Sequence, residues 1–74
     1  MNIGPLLYYM AHQADLERFI IIKTEGLHPN LLSKNDLSPL VENYIYINSH
    51  GVDEDKKGKY VEYICRRMMP ILWK

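Results

Sequence analysis

The sequence predicts a mainly α-helical domain, in which residues 1–74 form a single compact bundle of three or four short helices. Proline- and glycine-containing turns divide the chain into four segments, each of about a dozen residues. Within these segments, apolar residues recur at the spacing of a helix face. Hydrophobic residues make up 47% of the chain and charged residues 24%. This composition is too apolar for a disordered segment and too charged for a membrane span.

The first segment begins with Pro5, which suits the first turn of a helix because its missing N–H needs no partner there. The spacing predicts one apolar face made of Leu6, Leu7, Met10 and Ala14. Asp15 interrupts this face, and a second face follows, made of Leu16, Phe19 and Ile20. Gly26 is predicted at the C′ position that ends the helix. The β-branched run Ile20–Ile22 leaves a strand over residues 17–23 as the alternative.

Residues 27–37 are predicted to form a loop with one short turn, in which Ser33 and Asp36 resemble a capping pair. The next helix is predicted to begin at Ser38-Pro39, an N-cap residue followed by proline. It would end near Gly51 and present an apolar face made of Leu40, Val41, Tyr44 and Ile45. Residues 43–48 also fit a short strand. With the strand at 17–23, this gives an α+β alternative to the helical bundle.

The last segment has the clearest helical pattern, an apolar stripe made of Tyr60, Val61, Ile64, Cys65 and Met68. Acidic residues 53–55 near its start suit the helix dipole, and Gly58 moves the predicted start to about residue 58. Pro70 ends the helix at or before Met69. The apolar residues 71–73 are expected to pack on the core or meet a partner. The predicted core contains Leu6, Leu7, Met10, Leu16, Phe19, Ile20, Leu40, Val41, Tyr44, Ile45, Val61, Ile64, Cys65 and Met68.

The charge balance gives no overall attraction to nucleic acid or to an anionic membrane, because nine basic residues face nine acidic ones. The distribution is uneven, since residues 56–74 contain six basic residues and Glu62 as the single acidic one, a surplus of +5. We find no targeting segment and no apolar run long enough to span a membrane. With Cys65 unpaired, these features predict a cytoplasmic protein without membrane contact.

Residues that carry chemistry are few and scattered. The histidines at 12, 28 and 50 and Cys65 lack the paired spacing of a metal site. Cys65 belongs to an apolar stripe, where a thiol stays protonated. The isolated glycines provide no phosphate-binding loop. We therefore predict no catalytic residue, metal, cofactor or small-molecule substrate, and hence a protein that is not an enzyme.

Two features instead indicate a binding surface. A second stripe on the last helix combines basic residues with a tyrosine, a pattern that suits carboxylates and phosphates. The chain also has six tyrosines and one phenylalanine, and tyrosine is enriched in interface hot spots. In each of the pairs Tyr8-Tyr9 and Tyr44-x-Tyr46, one ring should face the core and the other should point outward. The outward rings are predicted to be Tyr9 and Tyr46. The candidate partner-binding residues are Tyr9, Tyr46, Lys56, Lys59, Tyr63, Arg66 and Arg67.

In its size, neutral charge, tyrosine content and segments such as Leu6-Leu7-Tyr8-Tyr9 and Tyr60-Val61-Glu62-Tyr63, the chain resembles the small host-takeover proteins of bacteriophages. Within that class it resembles the RNA-polymerase-binding transcription regulators of Xanthomonas phages. The resemblance implies docking on the amino-terminal end of the polymerase β′ subunit, with inhibition of initiation and promotion of antitermination. It also implies the host cytoplasm as the location.

The alternative function is a nucleic-acid-binding module that uses the basic face of the C-terminal helix. A helix-turn-helix motif needs a short turn between its two helices. Residues 49–57 are predicted to form a longer acidic connection, which disfavours that motif.

Overall fold

A computed structural model describes residues 4–48 and 52–69, which form a bundle of three α-helices with no strand. Helix α1 spans Gly4–Lys23, α2 spans Lys34–Asn48 and α3 spans Glu54–Met68, with a short 3-10 turn at Pro29–Leu31. This confirms the predicted helical bundle. The α+β alternative is wrong, because residues 17–23 and 43–48 both lie inside helices. The apolar residues 71–73 and Gly51 lie outside the described residues.

Helix α1 is continuous through Asp15, and the orientation of its first half differs from the prediction. Its buried side chains are Tyr9, Leu16 and Ile20, whereas Leu6, Leu7 and Met10 are 40%, 51% and 63% exposed. These three residues were wrongly predicted to be in the core. Leu16 and Ile20 are fully buried and set the rotation of the helix. Because the helix is rigid and has 3.6 residues per turn, their face continues back to Tyr9 rather than to the leucines.

Helix α1 ends in a Schellman motif whose C′ residue lies one position before Gly26, the residue predicted there. Glu25, not Gly26, occupies the C′ position, with a left-handed φ of 60°. The Glu25 N–H donates to the Ile22 carbonyl at 3.2 Å, and the Gly26 N–H donates to the Ile21 carbonyl at 2.8 Å. A glutamate therefore holds a backbone conformation that favours glycine.

Helix α2 begins earlier than predicted. The Ser33 hydroxyl accepts a hydrogen bond from the Asp36 N–H at 3.2 Å. The helix is therefore capped by Ser33 rather than by Ser38. Ser38-Pro39 lies inside the helix instead. The early start places Leu37 in line with Val41, where both side chains are fully buried. Burial of this additional leucine favours the longer helix over a start at proline.

The predicted face of α2 is otherwise confirmed, since Val41, Tyr44 and Ile45 are buried and Leu40 is half-buried against the core. The loop before α2 contains the single short turn that was expected. There, the His28 Nδ1 accepts a hydrogen bond from the Asn30 N–H at 3.2 Å. This histidine therefore has a local capping role.

Helix α3 begins at Glu54, four residues before the predicted start, so Gly58 lies within it. Ile64, Cys65 and Met68 are buried, as the apolar stripe predicted, and the helix ends before Pro70. Residues 54–57 are helical, so the acidic connection predicted over residues 49–57 is wrong from residue 54 onward.

An aromatic cluster joins the three helices. The Tyr8 ring lies 4.3 Å from the His12 ring and 5.7 Å from the Tyr60 ring, measured between centroids. The Tyr44 hydroxyl lies 3.3 Å from His12 Nδ1, and the Tyr44 ring packs edge-on against Phe19. Each helix contributes at least one ring, so the cluster sets how α2 and α3 sit against α1.

Candidate protein-binding surface

The outer face of α3 carries the basic stripe that the sequence predicted. Its four cationic side chains are exposed and Tyr63 is half-buried, while Ile64 and Met68 on the opposite side are buried. The stripe comprises Lys56, Lys59, Tyr63, Arg66 and Arg67. Because the apolar side of α3 packs into the core, these residues project toward solvent together.

Arg67 lies between two tyrosines at the boundary between α3 and α1. Its guanidinium carbon is 5.9 Å from the Tyr9 ring centroid and 5.9 Å from the Tyr63 ring centroid. Both distances lie within the range of a cation–π interaction. The two rings hold an exposed guanidinium in place, so less side-chain entropy is lost when it binds an anion.

A groove of about 460 Å³ opens beside this arginine. Tyr9 and Gln13 line it from α1, and Arg66 and Arg67 line it from α3. We call these four residues the arginine–tyrosine groove. Arginine side chains bind carboxylates through paired hydrogen bonds, and the Gln13 amide can donate or accept one more. The groove therefore suits an acidic side chain of a partner protein.

Tyr9 has a different position from the one predicted. Its ring was expected to point outward, yet the residue is only 6% exposed and belongs to the core. Burial, with a further contribution from Glu17, raises the pKa of the Tyr9 hydroxyl, and Arg67 opposes this increase. The ring is a neutral wall of the groove that positions Arg67, rather than a projecting contact.

Arg66 is held at the rim of the groove by an ion pair with Glu62. The Arg66 Nε donates to a Glu62 carboxylate oxygen at 3.2 Å, and Lys34 of α2 contacts the other oxygen at 3.3 Å. The hydrogen bond from Lys34 and that from Arg66 lower the pKa of Glu62 below its ordinary value. Glu62 therefore stays ionised at neutral pH and links α2 to the basic face of α3.

Ion pairs also reduce the positive field of α3. Lys56 lies 4.0 Å from Asp53, and Lys57 lies 3.3 Å from Glu54. Residues 53–69 contain five basic and four acidic side chains, which gives a net charge of +1. The +5 surplus counted over residues 56–74 therefore overstates the field that a polyanion would meet.

Tyr46 occupies a separate groove between α2 and α3. It is 75% exposed, as predicted, and the Lys57 Nζ lies 5.2 Å from its ring centroid. The groove measures about 280 Å³ and is lined by Pro39, Glu42, Asn43, Tyr46 and Lys57. Helices α1 and α3 line the arginine–tyrosine groove, whereas α2 and α3 line this one, so the structure does not bring Tyr46 together with Tyr9.

Sequence reasoning did not name Gln13 of the first groove as a site residue, nor Pro39, Glu42, Asn43 and Lys57 of the second. Gln13 was not considered because it lies outside every apolar or basic pattern of α1, and no signal in the sequence marks it. Lys57 was left out of the basic stripe, although it lies next to Lys56. Its burial beneath Tyr46 depends on the packing of α2 against α3.

The Cys65 thiol is buried, and this burial raises its pKa, an effect that a contact with the Ser38 hydroxyl at 3.7 Å partly opposes. Between residues 4–48 and 52–69, no three His, Cys, Asp or Glu side chains are grouped to hold a metal ion. Within the same ranges, none of the helices has the length and apolar character needed to cross a membrane.

Comparison of the chain with protein-family models, with curated proteins and with solved structures gives no match.

Proposed function

We propose that the chain is a non-enzymatic protein that binds a large host protein complex and regulates it through the arginine–tyrosine groove. The observation that carries the proposal is the exposed Arg67 guanidinium, which lies 5.9 Å from the ring centroids of both Tyr9 and Tyr63. Arginine and tyrosine are the residue types that most often dominate the energetics of protein interfaces. The target that we propose is RNA polymerase, which follows the resemblance to phage transcription regulators.

The groove favours a partner that presents a carboxylate next to an apolar or aromatic group. Arg67 and Arg66 would bind the carboxylate, and the partly exposed Tyr63 ring would cover the neighbouring group. Removal of both arginines should weaken partner binding by about 1–3 kcal/mol, the usual range for hydrogen bonds to charged groups. This corresponds to a loss of affinity of roughly 5- to 150-fold.

Binding of nucleic acid through the basic face of α3 is the second candidate, favoured by the exposure of four cations on one helix. Two of them, Lys56 and Arg66, are ion-paired to acidic residues of α3 or its N-cap, as is the neighbouring Lys57, and this weakens attraction to a polyanion. Affinity for nucleic acid falls steeply with salt, whereas a tyrosine-anchored protein interface depends on salt weakly.

Two double variants separate these functions. Arg66→Ala with Arg67→Ala removes two cations from the groove, and Lys56→Ala with Lys59→Ala removes two cations from the same helix outside it. Binding to purified RNA polymerase, treated with nuclease, is titrated for both variants and for the unmodified chain at two salt concentrations. The groove predicts a loss of affinity for the arginine pair alone, with circular dichroism showing that both variants remain folded.

Equal losses for the two variants, together with a steep salt dependence, would instead indicate nucleic-acid binding. Unchanged affinity in a folded arginine variant would exclude the groove, and the Tyr46 groove would become the surface to test. Failure of the unmodified chain to bind the polymerase would exclude that target. A pull-down from host lysate with and without nuclease then tests for another complex.

A further inference from the structure

The Tyr46 groove has the chemistry of a second binding site. Helix α2 contributes Pro39, Glu42, Asn43 and Tyr46 to it, and α3 contributes Lys57. The four residues of α2 follow one another at i, i+3, i+4 and i+7, which is the spacing of a single helix face. All four are exposed to solvent. The groove therefore combines an aromatic ring, a carboxylate and an amide on one accessible surface.

The Tyr46 ring already has a cation on one side. The Lys57 Nζ lies 5.2 Å from the ring centroid, within the range of a cation–π interaction. The Lys57 side chain is only 15% exposed, and its ammonium pairs with the Glu54 carboxylate at 3.3 Å. The charge of this ammonium is therefore balanced within the protein. Because Tyr46 is 75% exposed, the rest of its ring is open to a ligand.

Glu42 provides a carboxylate beside the open ring. It lies one helical turn before Tyr46, and side chains of a helix tilt toward its N-terminus, so the ring leans toward this carboxylate. In the described part of the chain, Glu42 takes part in no ion pair. Asn43 adds an amide oxygen that can accept one more hydrogen bond. A ligand with several N–H donors and a positive charge fits this set of groups.

The charges around the groove also favour a cation. Residues 39–57 contain four acidic and two basic side chains, which gives a net charge of −2. Residues 58–69 contain one acidic and three basic side chains, which gives a net charge of +2. The Tyr46 groove and the basic end of α3 therefore attract groups of opposite charge.

We propose that the Tyr46 groove binds an arginine side chain of a partner protein. The guanidinium stacks on the open side of the Tyr46 ring and donates two parallel hydrogen bonds to the Glu42 carboxylate. Lysine fits less well, because an ammonium neither stacks on a ring nor forms paired hydrogen bonds. Pro39 provides an apolar contact for the aliphatic part of the arginine. The inference does not rest on the proposed function, because the two grooves share no residue.

The site is tested by NMR titration of the full ¹⁵N-labelled chain with the peptide acetyl-Gly-Arg-Gly-amide at constant ionic strength. The expected result is a set of saturable chemical-shift changes, largest at Glu42, Asn43 and Tyr46, with a Kd of roughly 1–10 mM. The same peptide with citrulline in place of arginine keeps the shape and loses the charge, so it should give no saturable change. The lysine peptide should bind more weakly than the arginine peptide.

Two variants and a matched control show whether the named side chains bind the peptide. Glu42→Gln should lower the affinity about tenfold, because it removes the charged acceptor. Tyr46→Leu should lower it about 2- to 5-fold, the usual range for an exposed cation–π contact. Asp55→Asn is the control, since it removes an exposed carboxylate near the groove but outside its lining, and it should leave the affinity unchanged. Circular dichroism checks that all three variants remain folded.

Changes that do not saturate, or that are equal for the citrulline peptide, would overturn the site. Equal losses of affinity for Glu42→Gln and Asp55→Asn would also overturn it, because the general field of the acidic residues would then account for the binding. Equal affinity for the lysine and arginine peptides would overturn the assignment to arginine.

Discussion

Replacement of Leu37 and of Leu7 by alanine tests directly which leucine belongs to the core, because the structure reverses the burial that the sequence pattern predicts for each. Leu37 is fully buried although it was not predicted in the core, and Leu7 is 51% exposed although it was. The three carbons lost in Leu→Ala are worth about 0.8 kcal/mol each when buried. The cavity adds to this, so Leu37→Ala should cost about 3–4 kcal/mol, within the range of about 2–5 kcal/mol observed for such changes.

That loss is large for this chain. At roughly 0.05–0.15 kcal/mol per residue, 74 residues give a total stability of about 4–11 kcal/mol. Leu7→Ala should cost less than about 1 kcal/mol, because half of the side chain already contacts water. Urea unfolding followed by circular dichroism measures both values. A loss for Leu7→Ala equal to or above that for Leu37→Ala would refute the orientation of α1.

Glu25→Gly should stabilise the fold by about 0.5–1 kcal/mol. The left-handed backbone conformation of Glu25 costs about 1–2 kcal/mol, which glycine would not incur. This gain exceeds the about 0.5–1 kcal/mol by which glycine increases the conformational entropy of the unfolded chain. Thermal melting checks this against Glu25→Ala, which keeps the strain; a lower melting temperature for the glycine variant would contradict it. Folding lowers the pKa of Glu62, so its ionised form contributes stability above the unfolded pKa, and that contribution is lost as pH falls through the folded value. Glu62→Gln should therefore flatten the decline in melting temperature between about pH 6 and pH 3, and an unchanged slope would show that Lys34 and Arg66 add nothing measurable.

Much of the candidate surface follows from local pattern. The apolar stripe of α3 takes up one side of the helix, so the basic residues must lie on the other side, whatever the rest of the fold does. The exposure of Tyr46 follows in the same way from the burial of Tyr44 and Ile45 on α2. These assignments hold because a helix with one strongly apolar side has only one orientation that buries it.

The sequence alone determined the helical class, the loop before α2 and the exposed basic stripe, because these depend on spacing within single segments. The rotation of α1 depended on tertiary structure, since this helix is apolar on both sides and its own pattern does not select one. Only packing against α2 and α3 buries Leu16 and Ile20 together, turns Tyr9 inward and brings it 5.9 Å from Arg67, fifty-eight positions away. The same choice leaves Leu7 and Met10 on the outside, because a rigid helix that directs one side to the core must expose the other.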